Sequence, residues 1–452
     1  MDEDSIDHNK SVIIDIPTDL ESNQWSKCWI HRIPRKLRKV KESAYTPQLI
    51  SIGPFHHGRE ELKAMEVLKE KYHQKLLQRL PKDGSVSNQM EEFIRDSYKE
   101  IHGRYAGLSN NGFDDEDQAF EKIIMRDACF IVELFQRNDS KKESDDDYIL
   151  STPWLKKAIK LDLIMLENQI PFFVLRQLYT ITAPHLPSVN VPITQASNHM
   201  NPFLKLTCSF FKDHIVKESD WEKFAEIKEI KHFTNLLREF WLPREFIKRR
   251  NPQQKDIADR KYLYSATKLD KAGVTFKRAS KGTSLADVKI SKKPVLKFIP
   301  ASKGMKLKLP ELKLENDTEC LLRNVMALEQ CLYPKEDYIC GYVALMDQLI
   351  NTSEDVDFLV ERKIITNMLG SNKEAARLFN GLCNQIPREK TFYARFYNDL
   401  NKFYENRWNV TRSTLKKVYF KDLWTGSSTV VGLFVLVFTV TATIRNVYLR
   451  HL

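Results

Sequence analysis

Four carboxylates sit inside helical runs that are otherwise apolar, and these are the residues best placed to do chemistry. Phe120, Ile124, Asp127, Ile131 and Leu134 follow one another at helical spacing, which puts Asp127 on the apolar stripe. Leu155, Ile159, Asp162 and Leu166 do the same for Asp162, with Glu167 one position round, and Glu329 lies between Leu328 and Cys331. A buried carboxylate must be paired, hydrogen-bonded or protonated, because an isolated buried charge costs several kcal/mol. One reading makes Asp127, Asp162 and Glu167 a catalytic set tuned for glycoside or phosphoester hydrolysis. The other makes them structural, pairing with Arg126, Arg176 or Arg323 or capping neighbouring helices, and it needs no cleft. The structural reading is the expected one, but no spacing distinguishes the two, since sequence does not say how far apart the acids lie.

Other reactive types are weaker. His56 and His57 with Glu60 and Glu61 resemble a ligand cluster, but the histidines are adjacent and follow a Gly-Pro turn. Helical metal sites use histidines four apart or CxxC pairs, and neither occurs, so no metal is expected. Cys129 sits in an apolar run and reads as an inert core thiol. There is no GxSxG, no phosphate-binding loop and no dinucleotide fingerprint, so no cofactor is expected. The basic run Arg35, Lys36, Arg38, Lys39 and Lys41 reads as a solvated helix face, and nucleic acid is not an expected partner.

The elements that carry these residues follow from periodicity and punctuation. Residues 1–24 are expected to form a disordered acidic tail. The stretch TPQLISIGPF reads as a strand entering a turn at Gly53-Pro54. Helices are expected over Glu60–Leu80, Gln89–Tyr105 and Gln118–Arg137, then a solvated loop over Asn138–Tyr148. Two further helical pieces, broken near Pro171, lie within Trp154–Tyr179. The proline-bearing stretch 183–202 reads as a surface loop, followed by helices over Pro202–Val216 and Trp221–Trp241. Alternating Val, Ile, Leu and Lys over about 276–314 predict a small antiparallel β region. Helices return from Thr318 to Trp408. Only 14 glycines in 452 residues argue against a glycine-rich nucleotide-binding fold.

Charge and hydropathy suggest where the protein acts. Of the formal net charge of +11, the segment Lys277–Lys313 supplies +9 through ten Lys and one Arg against Asp287 and Glu311. Lys289, Lys292, Lys293 and Lys297 are therefore candidate contacts to anionic lipid, the alternative being lysines that solvate the outer face of a half-buried sheet. From Leu423 to Ile444 the chain runs twenty-two residues without a charge, roughly 33 Å as a helix, and this predicts a transmembrane helix with the tail 445–452 beyond it. Leu423, Trp424, Leu433, Phe434, Phe438 and Ile444 would anchor it. More basic residues precede the run than follow it, which places the bulk of the chain in the cytosol under a single-pass, tail-anchored topology, in the plasma membrane or an endomembrane, with the lipid bilayer as a partner. The seven cysteines, odd in number and without CxxC, do not suggest a disulfide framework. The four Asn-X-Ser/Thr sequons are what chance gives in so long a chain.

Several blocks occur in a telling order: SIGPFHHG (Ser51–Gly58), MRDACFIVELF (Met125–Phe135), LDLIMLENQIPFFVL (Leu161–Leu175), SATKLDKAGVTFK (Ser265–Lys277), LLRNVMALEQC (Leu321–Cys331) and YVALMDQLINTSEDVDFL (Tyr342–Leu359). With them the chain resembles the plant-specific family known as domain of unknown function 247, over about Cys28–Ile444. It departs from the family pattern at Lys268, where an acid is usual, at His232–Asn235, and in a longer lysine-rich strand region, Lys292–Lys308. The resemblance implies no established enzyme activity, and the family includes pollen-side determinants of self-incompatibility in grasses. The expected fold is α+β: a predominantly helical globular body over 25–420, a small antiparallel β region and one C-terminal transmembrane helix over 423–444. The expected function is a membrane-tethered, non-enzymatic interaction, recognition or signalling protein with a protein partner of unknown identity. The alternative is a hydrolase using Asp127, Asp162 and Glu167.

Overall fold

The helix Asp117–Asp139 runs through the middle of the molecule because its sequence leaves it no wet side along most of its length. Ile124, Ala128 to Val132, Leu134 and Phe135 are all fully buried, and a helix that is apolar all round belongs in a core. Around it pack the helices Lys63–Arg79, Ser85–Asp96, Phe172–Thr182 and Pro202–Phe210. Phe135 anchors an aromatic cluster there, stacked on Phe210 at 4.6 Å and on Phe203 at 5.9 Å between centroids. The computed structural model describes residues 27–108, 117–186, 201–214, 227, 229–248, 258–259, 262–294, 303–386, 390–406, 409–411, 413–414 and 423–450. The expected tail 1–24 and most of the loop over 183–202 lie outside the described residues, as do parts of the helices expected over 202–216 and 221–241.

A second group of helices gathers on Thr318–Leu332. Phe233–Trp241, Tyr338–Leu349 and Pro153–Ile164 pack against it, and Ser353–Glu361 lies on Asn372–Leu382. One apolar cluster is continuous from Trp29 to Leu400 and so spans both groups. A smaller one joins Ile33, Leu37 and Tyr45 to Leu166 and Leu328.

Helix ends follow capping chemistry. Thr352 and Asp355 form a reciprocal capping box, Ser371 accepts from the amide of Glu374, and Asn201 precedes Pro202 as an N-cap. Pro171 separates the helices Pro153–Ile164 and Phe172–Thr182, as its sequence predicts. The acidic stretch after Asn138 is not a solvated loop. It forms the short helices Lys141–Asp146 and Tyr148–Ser151. Asp147 between them is buried, accepts from the amides of Ile149 and Leu150, and takes the Tyr72 hydroxyl at 2.6 Å and Arg137 at 2.9 Å.

The β region forms a three-stranded sheet in the order Thr275–Arg278, Lys303–Leu309, Lys289–Pro294. Lys289–Pro294 pairs antiparallel to the middle strand, but Thr275–Arg278 pairs with it in parallel, so the sheet is mixed. Leu312–Leu314 leaves this sheet to pair in parallel with Ile365–Asn367.

The expected membrane span does not survive. Residues Leu423–Arg450 are helical, yet among the described residues no helix is long and apolar enough to cross a membrane. The uncharged run is diluted by hydroxyls and glycines, including Thr425, Gly426, Ser427, Ser428, Thr429 and Gly432. Further along, the hydroxyls of Thr439, Thr441 and Thr443 donate to carbonyls one turn back. The single-pass, tail-anchored topology, the membrane location and the orientation argued from the flanking charges lose their basis with the span. Phe434, Phe438 and Ile444 stand exposed on this helix, while the side chains of Leu423, Trp424 and Leu433 lie outside the described residues.

Candidate functional site

The segment Gln48–His56 has the β-branched pattern of a strand, and no strand forms there. From Ile50 onward it runs buried through the core, and its backbone donors turn to side chains. A buried N–H must find a partner, and here carboxylates and amides replace a β ladder. Asp162, at the end of Pro153–Ile164, accepts from the amides of Gln48 at 3.0 Å, Leu49 at 2.7 Å and Ile50 at 3.0 Å. Asn168 accepts from the amide of Ile52 at 2.6 Å and donates to the carbonyls of Ile50 and Asp162. Asp127 accepts from the amide of Gly53 at 2.9 Å. The side chains at 162, 168 and 127 thus read along the segment in order, like a hand on a rail.

Lys69 completes the grip. Its side chain is fully buried, an uncommon state for lysine, and its ammonium donates to Asp127 at 2.6 Å and to the carbonyl of Ser51 at 2.8 Å. Glu66 lies 2.6 Å from the same ammonium, accepts the Ser51 hydroxyl and pairs with Arg126. Gly53 is required at its position. It adopts φ +70°, and a Cβ there would come within 2.6 Å of the carbonyl oxygen of Gln169. Beyond it, His56 Nε2 is 3.1 Å from Glu167, which also accepts from the amide of Ile33 and from Arg38 at 2.5 Å each.

The electrostatics differ from acid to acid. Burial pushes the Asp162 carboxyl up to about 6, against the three amides that favour its anion. Burial also raises Asp127, with Lys69 opposing it. Glu167 moves the other way: burial would raise it, but His56, Arg38 and the amide of Ile33 hold it below the usual carboxylate range.

A similar design recurs around Glu329. It accepts from Arg238 at 2.9 Å and from the amides of Ile339 at 3.1 Å and Cys340 at 2.8 Å, with both charged side chains buried. His232 caps Phe233–Trp241, and its Nε2 sits 3.1 Å from the carbonyl oxygen of Trp29, with burial lowering the ring to about 3.

The structure therefore strings Asp127, Asp162 and Glu167 along one segment, each occupied by different residues of the chain. Of the expected partners, Arg126 lies 3.9 Å from Asp127, but Lys69 is the nearer cation. Arg323 pairs with Glu319 at 2.8 Å, and Arg176 is exposed. Sequence reasoning missed Lys69, Asn168, Gln169 and Arg238. The available signal was the pair Asn168-Gln169 inside the apolar block LENQIPFFVL, where two uncharged amides imply buried hydrogen bonds. Gln169 donates to the carbonyls of Leu163 and Met165 and accepts from the amide of Phe233.

The histidine pair does not assemble a ligand set. Among the described residues no group of three or more His, Cys, Asp or Glu could hold a metal ion. Burial raises the Cys129 thiol, which is wholly enclosed, and all seven cysteines are free. Of the four candidate lysines, Lys289 pairs with Asp287 and Lys292 with Asp399, both at 3.0 Å. Lys297 and the side chain of Lys293 lie outside the described residues.

Comparison with known proteins gives one family and two curated relatives. The family model described as plant protein of unknown function, domain of unknown function 247, matches residues 30–438. The UPF0481 protein At3g47200 of Arabidopsis thaliana is 29% identical, over 93% of this chain and 86% of its own length. The putative UPF0481 protein At3g02645 of the same plant is 23% identical, over 87% of this chain and 85% of its own. No solved structure matches the chain.

Proposed function

This chain belongs to the plant family domain of unknown function 247, and on that premise we propose that it is a non-enzymatic protein of interaction, recognition or signalling. The observation that carries the reading is the occupation of its acids. A catalytic carboxylate needs a lone pair or proton turned toward a substrate. Asp162 spends its oxygens on three backbone amides, Asp127 on Gly53 and Lys69, and Glu167 on Ile33, Arg38 and His56. Each is consumed in holding its own chain.

One observation stands on the side of hydrolysis: Asp162 titrates near 6, as a general acid would. Its cause is burial, which also removes the carboxyl from any substrate. The test is turnover of aryl glycosides and aryl phosphates by the full-length protein, beside Asp127→Asn and Asp162→Asn variants. No turnover is expected, with a lowered melting temperature in Asp127→Asn and, below about pH 4, in Asp162→Asn. Turnover that Asp162→Asn abolishes while melting stays unchanged would overturn the reading in favour of the hydrolase.

A further inference from the structure

The mixed sheet carries eight basic residues and no acidic one on its three strands, TFKR, KISKKP and KGMKLKL. Register decides where they meet. Lys277 stands opposite Lys308, and Lys308 opposite Lys289, so three lysines form one row across all three strands. Lys306 lies one pleat along, between Thr275 and Ser291. Met305, Leu307 and Leu309 alternate with these lysines and are buried, which turns the lysine row outward, and Lys277, Lys289 and Lys308 are exposed.

Like charges placed directly opposite on neighbouring strands are destabilising. A face that only needed solvation would interleave signs, as exposed sheets ordinarily do. Relief is scant here: Asp287 takes Lys289, whereas among the described residues neither Lys277 nor Lys308 has an ion-pair partner. Other basic residues of the sheet are neutralised elsewhere, Arg278 by Glu311 at 3.1 Å and Lys292 by Asp399 at 3.0 Å. Among the described side chains of the sheet, the charge without an ion-pair partner thus includes the adjacent Lys277 and Lys308.

We propose that the face bearing Lys277, Lys289, Lys306 and Lys308 docks an extended acidic peptide segment of a protein partner. Lys306 and Lys308 are two residues apart on one strand, about 7 Å, which is also the spacing of alternate side chains in an extended peptide. A chain with an acid at every second position matches that spacing, and cross-strand neighbours about 4.8 Å away flank it. The inference rests on the interaction reading above and gives that reading a surface.

The probe is a fluorescent peptide of alternating Glu and Ser, titrated against the full-length protein, beside phosphatidylserine vesicles and a single-stranded oligonucleotide. The peptide is expected to bind, and to weaken as ionic strength rises. The double variant Lys277→Glu with Lys308→Glu should weaken peptide binding by roughly tenfold, and Lys292→Glu by less than about twofold. Lys308→Glu alone should raise the melting temperature, since it replaces repulsion with attraction inside the row, and this shows that the variant folds. Peptide binding unaffected by the double variant overturns the proposal. So does binding of vesicles or oligonucleotide with no binding of peptide. A protein that ignores the peptide and also turns over no substrate loses this surface alone, whereas turnover removes the interaction reading itself.

Discussion

Lys69 and Asp127 meet at 2.6 Å with neither side chain open to solvent. Such a pair is weak evidence for stability as a pair, because desolvation of both ions offsets much of their attraction. Breaking it is another matter. Asp127→Ala leaves the amide of Gly53 without its acceptor and the buried ammonium with only Glu66 and the Ser51 carbonyl, and should cost about 2–4 kcal/mol in urea unfolding. Lys69→Met should cost a similar amount, and the double variant less than the sum of the two. Additive losses would show that the two side chains act independently.

Asp162 and Glu167 should give stability–pH slopes of opposite sign. The folded pKa of Asp162 is raised to about 6 from 3.8, so the folded state holds its proton more tightly than the unfolded chain. Its contribution is greatest below about pH 4 and is lost as pH rises through 6. The difference in melting temperature between the wild type and Asp162→Asn should therefore shrink, or turn against the wild type, across that window. A difference that grows with pH would contradict the assignment.

Glu167 is held below its ordinary value of 4.5, so its contribution is present above that pH and lost as the solution is acidified. Glu167→Ala should cost about 1–3 kcal/mol at neutral pH, since Arg38 and the amide of Ile33 lose a charged acceptor. The penalty should fade toward pH 3. Hydrogen exchange at Ile33 gives the local readout, with faster exchange expected in the variant.

Two glycines with positive φ separate clash from conformation. Gly58, at φ +78°, has open space where a Cβ would stand, so Gly58→Ala should cost about 1–2 kcal/mol. Gly53→Ala adds a collision with the Gln169 carbonyl and should cost about 3 kcal/mol or more. Equal losses would mean that the segment can shift to make room.

Some of this was legible in the chain and some could not be. The apolar spacing from Phe120 to Leu134 marked the central helix and correctly put Asp127 on its buried stripe. Pro171 marked a break between helices. Lys69 was hidden because it sits in a helix full of lysine and glutamate, where nothing local distinguishes the one that points inward. The segment after Thr46 looked like a strand because extended backbone selects β-branched residues whatever its donors are bonded to. Its partners lie from 15 to 118 residues away, on three different helices and the turn after one of them, and no local pattern records them. At the C-terminal run the expected span is overturned, since among the described residues no helix is long and apolar enough to cross a membrane.

That separation along the chain has a consequence for biosynthesis. Gln48 leaves the ribosome 114 residues before Asp162 does. At about 5–20 residues per second the segment waits on the order of ten seconds for the carboxylate that will receive its amides. Throughout that interval Ile50, Ile52 and Phe55, all buried in the finished fold, lack the part of their cover that comes from residues after Pro153. Threading a polar-clasped ribbon through a core thus gives the nascent chain a vulnerable period, and chaperone demand during synthesis should rise as translation between Ser51 and Asn168 slows.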